Sequence, residues 1–152
     1  MRIALYQPDI PQNTGTILRL AACFGLPVDI IEPCGFIWND KQMRRAGMDY
    51  LQNVDVTRHL SWETFKQAYP HNRLVLLTTH GSVPHTAFTF DKDDILLFGR
   101  ESAGVPEDVH QYVNARIRIP MRPNERSINL AMSCAIAVSE AMRQTGLFDT
   151  LM

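Results

Sequence analysis

Apolar positions along this chain come in two textures: short, nearly unbroken runs, and longer stretches where they recur at three- and four-residue spacing. The runs are residues 2–6 (RIALY), 28–31 (VDII), 73–79 (RLVLLTT) and 94–98 (DILLF). Each is short and continuous enough to predict a strand buried on both faces. Residues 53–57 and 117–119 predict two further strands, the last stopped by Pro120. Between them lie helical patterns. One is capped by Asn13 or Thr14 and runs to about residue 24, with Gly25 as its stop. Others cover 40–46 before Gly47, a Ser61-capped stretch to about residue 69, and a stretch from Pro106 to about residue 112. The last covers 127–144, with Gly146 placed to cap it. Residues 82–90 read as irregular. The order β-α-β-α-β-α-β-β-α-β-α predicts an α/β fold, a mainly parallel sheet with helices on both faces.

The last helix carries an excess. Across residues 128–138 only Asn129 and Ser133 are polar, so almost every face is apolar or small. Packing on its own sheet covers one stripe, and the remainder calls for another layer or a second subunit. Ala135 and Val138 are the positions expected at that contact.

Composition narrows the class. At 152 residues, 45% hydrophobic and 20% charged, the chain fits a single domain spanning 1–152 with a real core. No apolar run approaches membrane-spanning length and no signal-peptide pattern opens the chain. Cys23, Cys34 and Cys134 show no C-x-x-C spacing and read as reduced thiols of a cytoplasmic protein. A net charge of −1 argues against broad, non-specific nucleic-acid coating. A local arginine cluster can still steer one phosphate backbone.

Candidate chemistry gathers at loops. Three strands end in glycine- or proline-bearing loops, after Leu77, Phe98 and Ile119, and strand C-termini of a parallel sheet converge on one edge. The 121–126 loop carries Arg122, Asn124 and Arg126. The first helical turn, Gln12-Asn13-Thr14-Gly15-Thr16, has the free N–H groups and the glycine of an anion site, with Arg19 following on the same side. A capped helix with a surface arginine fits the same residues. Arg44-Arg45 reads as a solvated face or a phosphate contact. His80 and His85 have no carboxylate or cysteine at ligand spacing, so no metal site is expected. Neither a dinucleotide fingerprint nor a phosphate-binding P-loop is present.

Three segments carry a family resemblance. Asn13-Thr14-Gly15-Thr16-Ile17-Leu18-Arg19, then Leu97-Phe98-Gly99-x-Glu101-x-x-Gly104-x-Pro106, then Ile117-Arg118-Ile119-Pro120-Met121 with Arg126-Ser127-Ile128-Asn129-Leu130, resemble in order the three motifs of SPOUT RNA ribose methyltransferases. Residues 31–50 resemble the small bacterial branch that methylates the tRNA wobble ribose, cytidine or uridine. The resemblance covers essentially the whole chain. It implies a deep C-terminal trefoil knot, a homodimer, a tRNA anticodon stem-loop as partner, and S-adenosylmethionine without metal. By matching position it puts Leu77, Gly99, Ile119 and Ser127 against the cofactor, with Gly104, Met121 and Leu130 beside them. Arg19 and Asn13 match the catalytic pair. A guanidinium is effectively always protonated. Arg19 is therefore expected to fix the neighbouring phosphate and stabilise alkoxide charge, with Asn13 orienting the hydroxyl. Relatives commonly read G-P-E-T-R-G where this chain has Gly99-Arg100-Glu101-Ser102-Ala103-Gly104. Arg100 resembles a sister group acting elsewhere in the anticodon loop. A non-catalytic RNA- or adenosine-binding module and a phosphate-handling enzyme are the readings from other classes.

Overall fold

The computed structural model describes residues 1–45 and 49–152. Among them seven strands form one all-parallel sheet: β1 (Arg2–Tyr6), β2 (Val28–Ile31), β3 (Val56–His59), β4 (Leu74–Leu77), β5 (Val83–Pro84), β6 (Ile95–Phe98) and β7 (Ala115–Arg118). Their spatial order is β3-β2-β1-β6-β4-β7-β5. The helices are α1 (Pro11–Phe24), α2 (Asp40–Arg45), α3 (Trp62–Ala68), α4 (Glu107–Tyr112) and α5 (Leu130–Thr145).

Side chains alternate across each strand, which divides the core in two. Ile3, Leu5, Leu96 and Phe98 face one side and pack with Ile17, Leu18, Cys134 and Val138 of α1 and α5. Ala4, Tyr6, Ile95 and Leu97 face the other, against Trp62, Phe65 and Val109 of α3 and α4. Covering on both faces explains why these strands read as continuous apolar runs rather than alternating ones.

One polar residue interrupts the buried run of β2. Asp29 is fully buried, and its carboxylate accepts from Arg2 Nε at 2.8 Å and Tyr69 OH at 2.8 Å, with His59 Nε2 at 2.7 Å. A charge in that position stands only because it is paired and hydrogen-bonded. Arg73 does the same for buried Asp94 at the start of β6, through bonds of 2.6 and 2.7 Å.

The boundaries differ from expectation at five places. β5, two residues at the sheet edge beside β7, lies inside the stretch read as irregular. A strand that short shows no periodicity, and proline is tolerated there because the edge needs no donor. α1 starts at Pro11 with Ile10 as N-cap, so Asn13 and Thr14 lie within the helix and cap nothing. The third strand is Val56–His59, preceded by a 3₁₀ turn at Asp49–Asn53. Pro106 is the N-cap of α4 rather than its first residue. α5 begins at Leu130, where the Asn129 side chain accepts from the N–H groups of Ala131 and Met132. Ala46 and Gly47, expected to end the second helix, lie outside the described residues.

The apolar excess of α5 also resolves. Val138 is fully buried in the chain's own core, with Ala131, Cys134, Ala137, Ala141 and Met142. It therefore cannot mark an outer contact. The apolar side chains left outward are Met132, 61% exposed, and Ile136, 37% exposed.

Candidate active site

At the C-terminal edge of the sheet the loops after β4, β6 and β7 border a cavity of about 800 Å³. Each is shaped by backbone proximity. The loop after β6 closes on itself, with Arg100 N donating to Gly104 O at 3.0 Å and Gly104 N to Arg100 O at 2.9 Å. A Cβ on Gly99 would lie 2.7 Å from the Gly104 carbonyl carbon, and Gly104 has φ +61°. Both positions therefore require glycine, one for space and one for conformation. In the loop after β4, Thr78 N donates to Ile117 O at 2.9 Å. The loop after β7 ends in the Asn129 cap of α5.

All seven residues matched to cofactor contact line this cavity: Leu77, Gly99, Gly104, Ile119, Met121, Ser127 and Leu130. Asn13 lines it as well, nearly buried on the first turn of α1. Its side-chain oxygen accepts from Asn129 Nδ2 at 2.9 Å, and its Nδ2 donates to Glu101 Oε1 at 3.4 Å. Glu101 Oε2 accepts from Asp9 N at 3.0 Å, while Asp9 accepts from Glu101 N at 3.2 Å and from Ser102 Oγ. Asp9, Asn13, Glu101 and Asn129 thus form one polar string, of which the last three line the cavity. Burial pushes the Glu101 carboxyl above its ordinary range, and the neighbouring Asp9 carboxyl adds to this. The interaction with the Glu101 side chain holds Asp9 below its ordinary range.

Glu101 and Asn129 stand inside the quoted motifs but were not singled out from sequence. Asp9 carries no local signal at all. Its partner is 92 positions away.

Arg19 is not brought to this cavity. It is exposed, and six residues beyond Asn13 place it about 9 Å further along the α1 axis. In the first turn Thr14 N donates to Ile10 O at 3.2 Å, and Gly15 is buried. Arg100 Nε donates to Gly104 O at 3.2 Å, and its guanidinium lies 5.6 Å from the Tyr6 ring centroid. Arg122 and Arg126 are exposed on the loop after β7. The side chains of Arg44 and Arg45, at the end of α2, lie outside what the structure describes. His80 lines the cavity, whereas His85 is buried under the sheet edge, its Nδ1 with no hydrogen-bond partner. Among the described residues no three metal-ligating side chains gather, and no helix is long and apolar enough to cross a membrane.

The sequence profile of the SpoU rRNA methylase family matches residues 1–139. A relative from Beijerinckia indica, a tRNA (cytidine(34)-2′-O)-methyltransferase, is 55% identical over 152 residues, covering 99% of this chain and 95% of that one. A solved structure concerned with 2-OH methylation of C/U34 on tRNA is 39% identical, with a TM-score of 0.89 and 94% of each chain covered. An AdoMet-bound rRNA methyltransferase from Sinorhizobium meliloti is 28% identical with a TM-score of 0.83, covering 93% of this chain and 55% of that one.

Proposed function

Since this chain belongs to the SpoU rRNA methylase family, we propose that it transfers a methyl group from S-adenosylmethionine to the ribose 2′-OH of the wobble nucleotide of a tRNA, cytidine or uridine 34. One observation carries the reading: the cavity at the sheet edge is walled by every residue that the family resemblance assigns to the cofactor. The donor set fits that ligand. Leu77, Ile119, Met121 and Leu130 supply apolar walls for an adenine ring, and the glycine loop offers backbone groups without side-chain bulk. Bound there, S-adenosylmethionine supplies an electrophilic methyl group. The chain's share is then to hold the ribose hydroxyl in line and to manage its proton.

Residues 1–152 act as one methyltransferase domain, knotted at its C-terminal end and working in the cytoplasm as a homodimer. Two observations support the dimer. Met132 and Ile136 leave apolar surface on α5, and Arg19, matched to the catalytic pair, lies off the cavity of its own chain. A second copy packed on this face would cover the first and offer a route for the second. Arg19 would grip a tRNA phosphate and the developing alkoxide, as a fork of donors does well. The Arg100 departure in the glycine loop favours one other target, a neighbouring nucleotide of the anticodon loop.

Ribose-methylation mapping of total tRNA, with and without this protein, tests both. A gain at position 34 supports the wobble reading, and a gain at a neighbouring anticodon-loop position moves the target. No change at any anticodon-loop ribose overturns the function.

A further inference from the structure

Methyl transfer to a ribose oxygen leaves a proton to be placed, and Arg19 cannot take it because a guanidinium stays protonated. Among the described residues, the titratable side chains lining the cavity are His80, Arg100, Glu101, Glu107 and His110. Arg100 is excluded for the same reason as Arg19. Glu107 is exposed and accepts from Gln111 Nε2 at 3.0 Å. His80 is exposed, and His110 faces Arg116 Nε at 3.2 Å through Nδ1. Glu101 alone is bonded to Asn13, the residue expected to orient the hydroxyl.

We infer that Glu101, backed by Asp9, is the proton acceptor for the ribose 2′-OH. The inference rests on the methyltransferase reading above. Each Glu101 oxygen accepts one hydrogen bond, from Asn13 Nδ2 or from Asp9 N. A carboxylate has about four lone-pair sites, so acceptor capacity remains for a hydroxyl. In the step, the O–H bond of the ribose breaks and its proton passes to the Glu101 carboxylate. The oxygen bonds to the methyl carbon as the sulfur–methyl bond breaks. That bond's electron pair stays on sulfur, turning the sulfonium into a neutral thioether, and the proton later leaves Glu101 for water.

Asp9 is a positioning residue. It is pinned by Ser102 Oγ and Glu101 N, and by Gly35, where a Cβ would lie 2.5 Å from the Asp9 Cβ. A second carboxylate held there makes Glu101 a stronger base, and pairs whose environments push two carboxyls apart are where acid–base roles are found. The other groups around Glu101 are Asn13 on α1, Cys34 on the loop after β2, and Ser102 and Arg100 in its own loop. The Cys34 thiol, pushed up to about 11 mainly by burial, stays neutral through the working range.

The test uses Glu101→Gln and Asp9→Asn in the full chain. Single-turnover methyl transfer at saturating cofactor and tRNA should fall about 100-fold or more in Glu101→Gln, the scale of a lost general base. Cofactor affinity by calorimetry should be unchanged. The wild-type rate should fall on the acid side as Glu101 takes up a proton, and Asp9→Asn should move that limb to lower pH. Carboxyl ¹³C titration of the cofactor-free protein should show the Glu101 midpoint above the ordinary ~4.3 and lowered by Asp9→Asn. Wild-type turnover in Glu101→Gln, or an acid limb and midpoint that Asp9→Asn leaves in place, overturns this assignment alone. A wild-type chain that methylates no tRNA ribose overturns the function and this assignment together.

Discussion

The side-chain amide of Asn129 donates to the side-chain oxygen of Asn13 at 2.9 Å, joining residues 116 positions apart in sequence. With its own oxygen Asn129 caps α5. One side chain therefore fixes the start of the last helix and the orientation of a cavity residue on the first.

Asn129→Ala should remove both. The lost cap costs about 1 kcal/mol of stability, and Asn13 loses the acceptor bond that orients it. Chemical denaturation should show the stability loss, and methyl transfer should fall by more than stability alone accounts for. Unchanged turnover in a destabilised protein would reduce Asn129 to a cap.

The glycine loop should tolerate no side chain. Gly99→Ala puts a Cβ 2.7 Å from backbone, and Gly104→Val forces φ +61° on a β-branched residue. Both variants should fold, because the loop lies outside the core. S-adenosylmethionine should raise the melting temperature of the wild type through linkage, and this gain should vanish in both variants.

Arg19→Ala and Arg19→Lys should fold and bind the cofactor normally, since Arg19 is exposed and does not line the cavity. Methyl transfer should drop about 100-fold in the alanine variant and partly return with lysine. Mixing Arg19→Ala with Gly104→Val should restore activity if each site borrows its arginine from the other copy. A wild-type rate in Arg19→Ala would leave it a surface arginine.

Ile136→Glu and Val138→Glu separate an outer face from the core. Ile136 is 37% exposed and Val138 fully buried. The first should give a folded monomer by sedimentation, with activity lost. The second places an uncompensated charge in the core and should fail to fold. A dimer that survives Ile136→Glu would move the interface away from this face.

Much of the architecture was legible in the sequence because burial on both faces leaves β4 and β6 with no polar positions. Residues 94–98 and 73–79 could scarcely be anything else. Boundaries were less so. Asn13 has the chemistry of a cap, but Pro11 fixes the first helical position two residues earlier, and that wins. Residues 127–129 hold no breaker, so only the bonds made by Asn129 reveal that the helix begins after them. Periodicity could not tell Val138 from Ile136 on a helix apolar all round. The motif glycines and Asn13 announced the cavity. Asp9 did not, because its meaning lies wholly in a partner from another loop.

The strand order carries a consequence for how the protein is made. β1 bonds to β2 on one side and to β6 on the other, and β6 begins at Ile95. On a ribosome adding 5–20 residues per second, the free edge of β1 waits roughly 5–20 s for that partner. All that time an apolar strand, residues 3–6, presents unpaired N–H and C=O groups to whatever is near. Burial of this sheet is therefore a late event in synthesis, and the nascent chain needs shelter through most of its length.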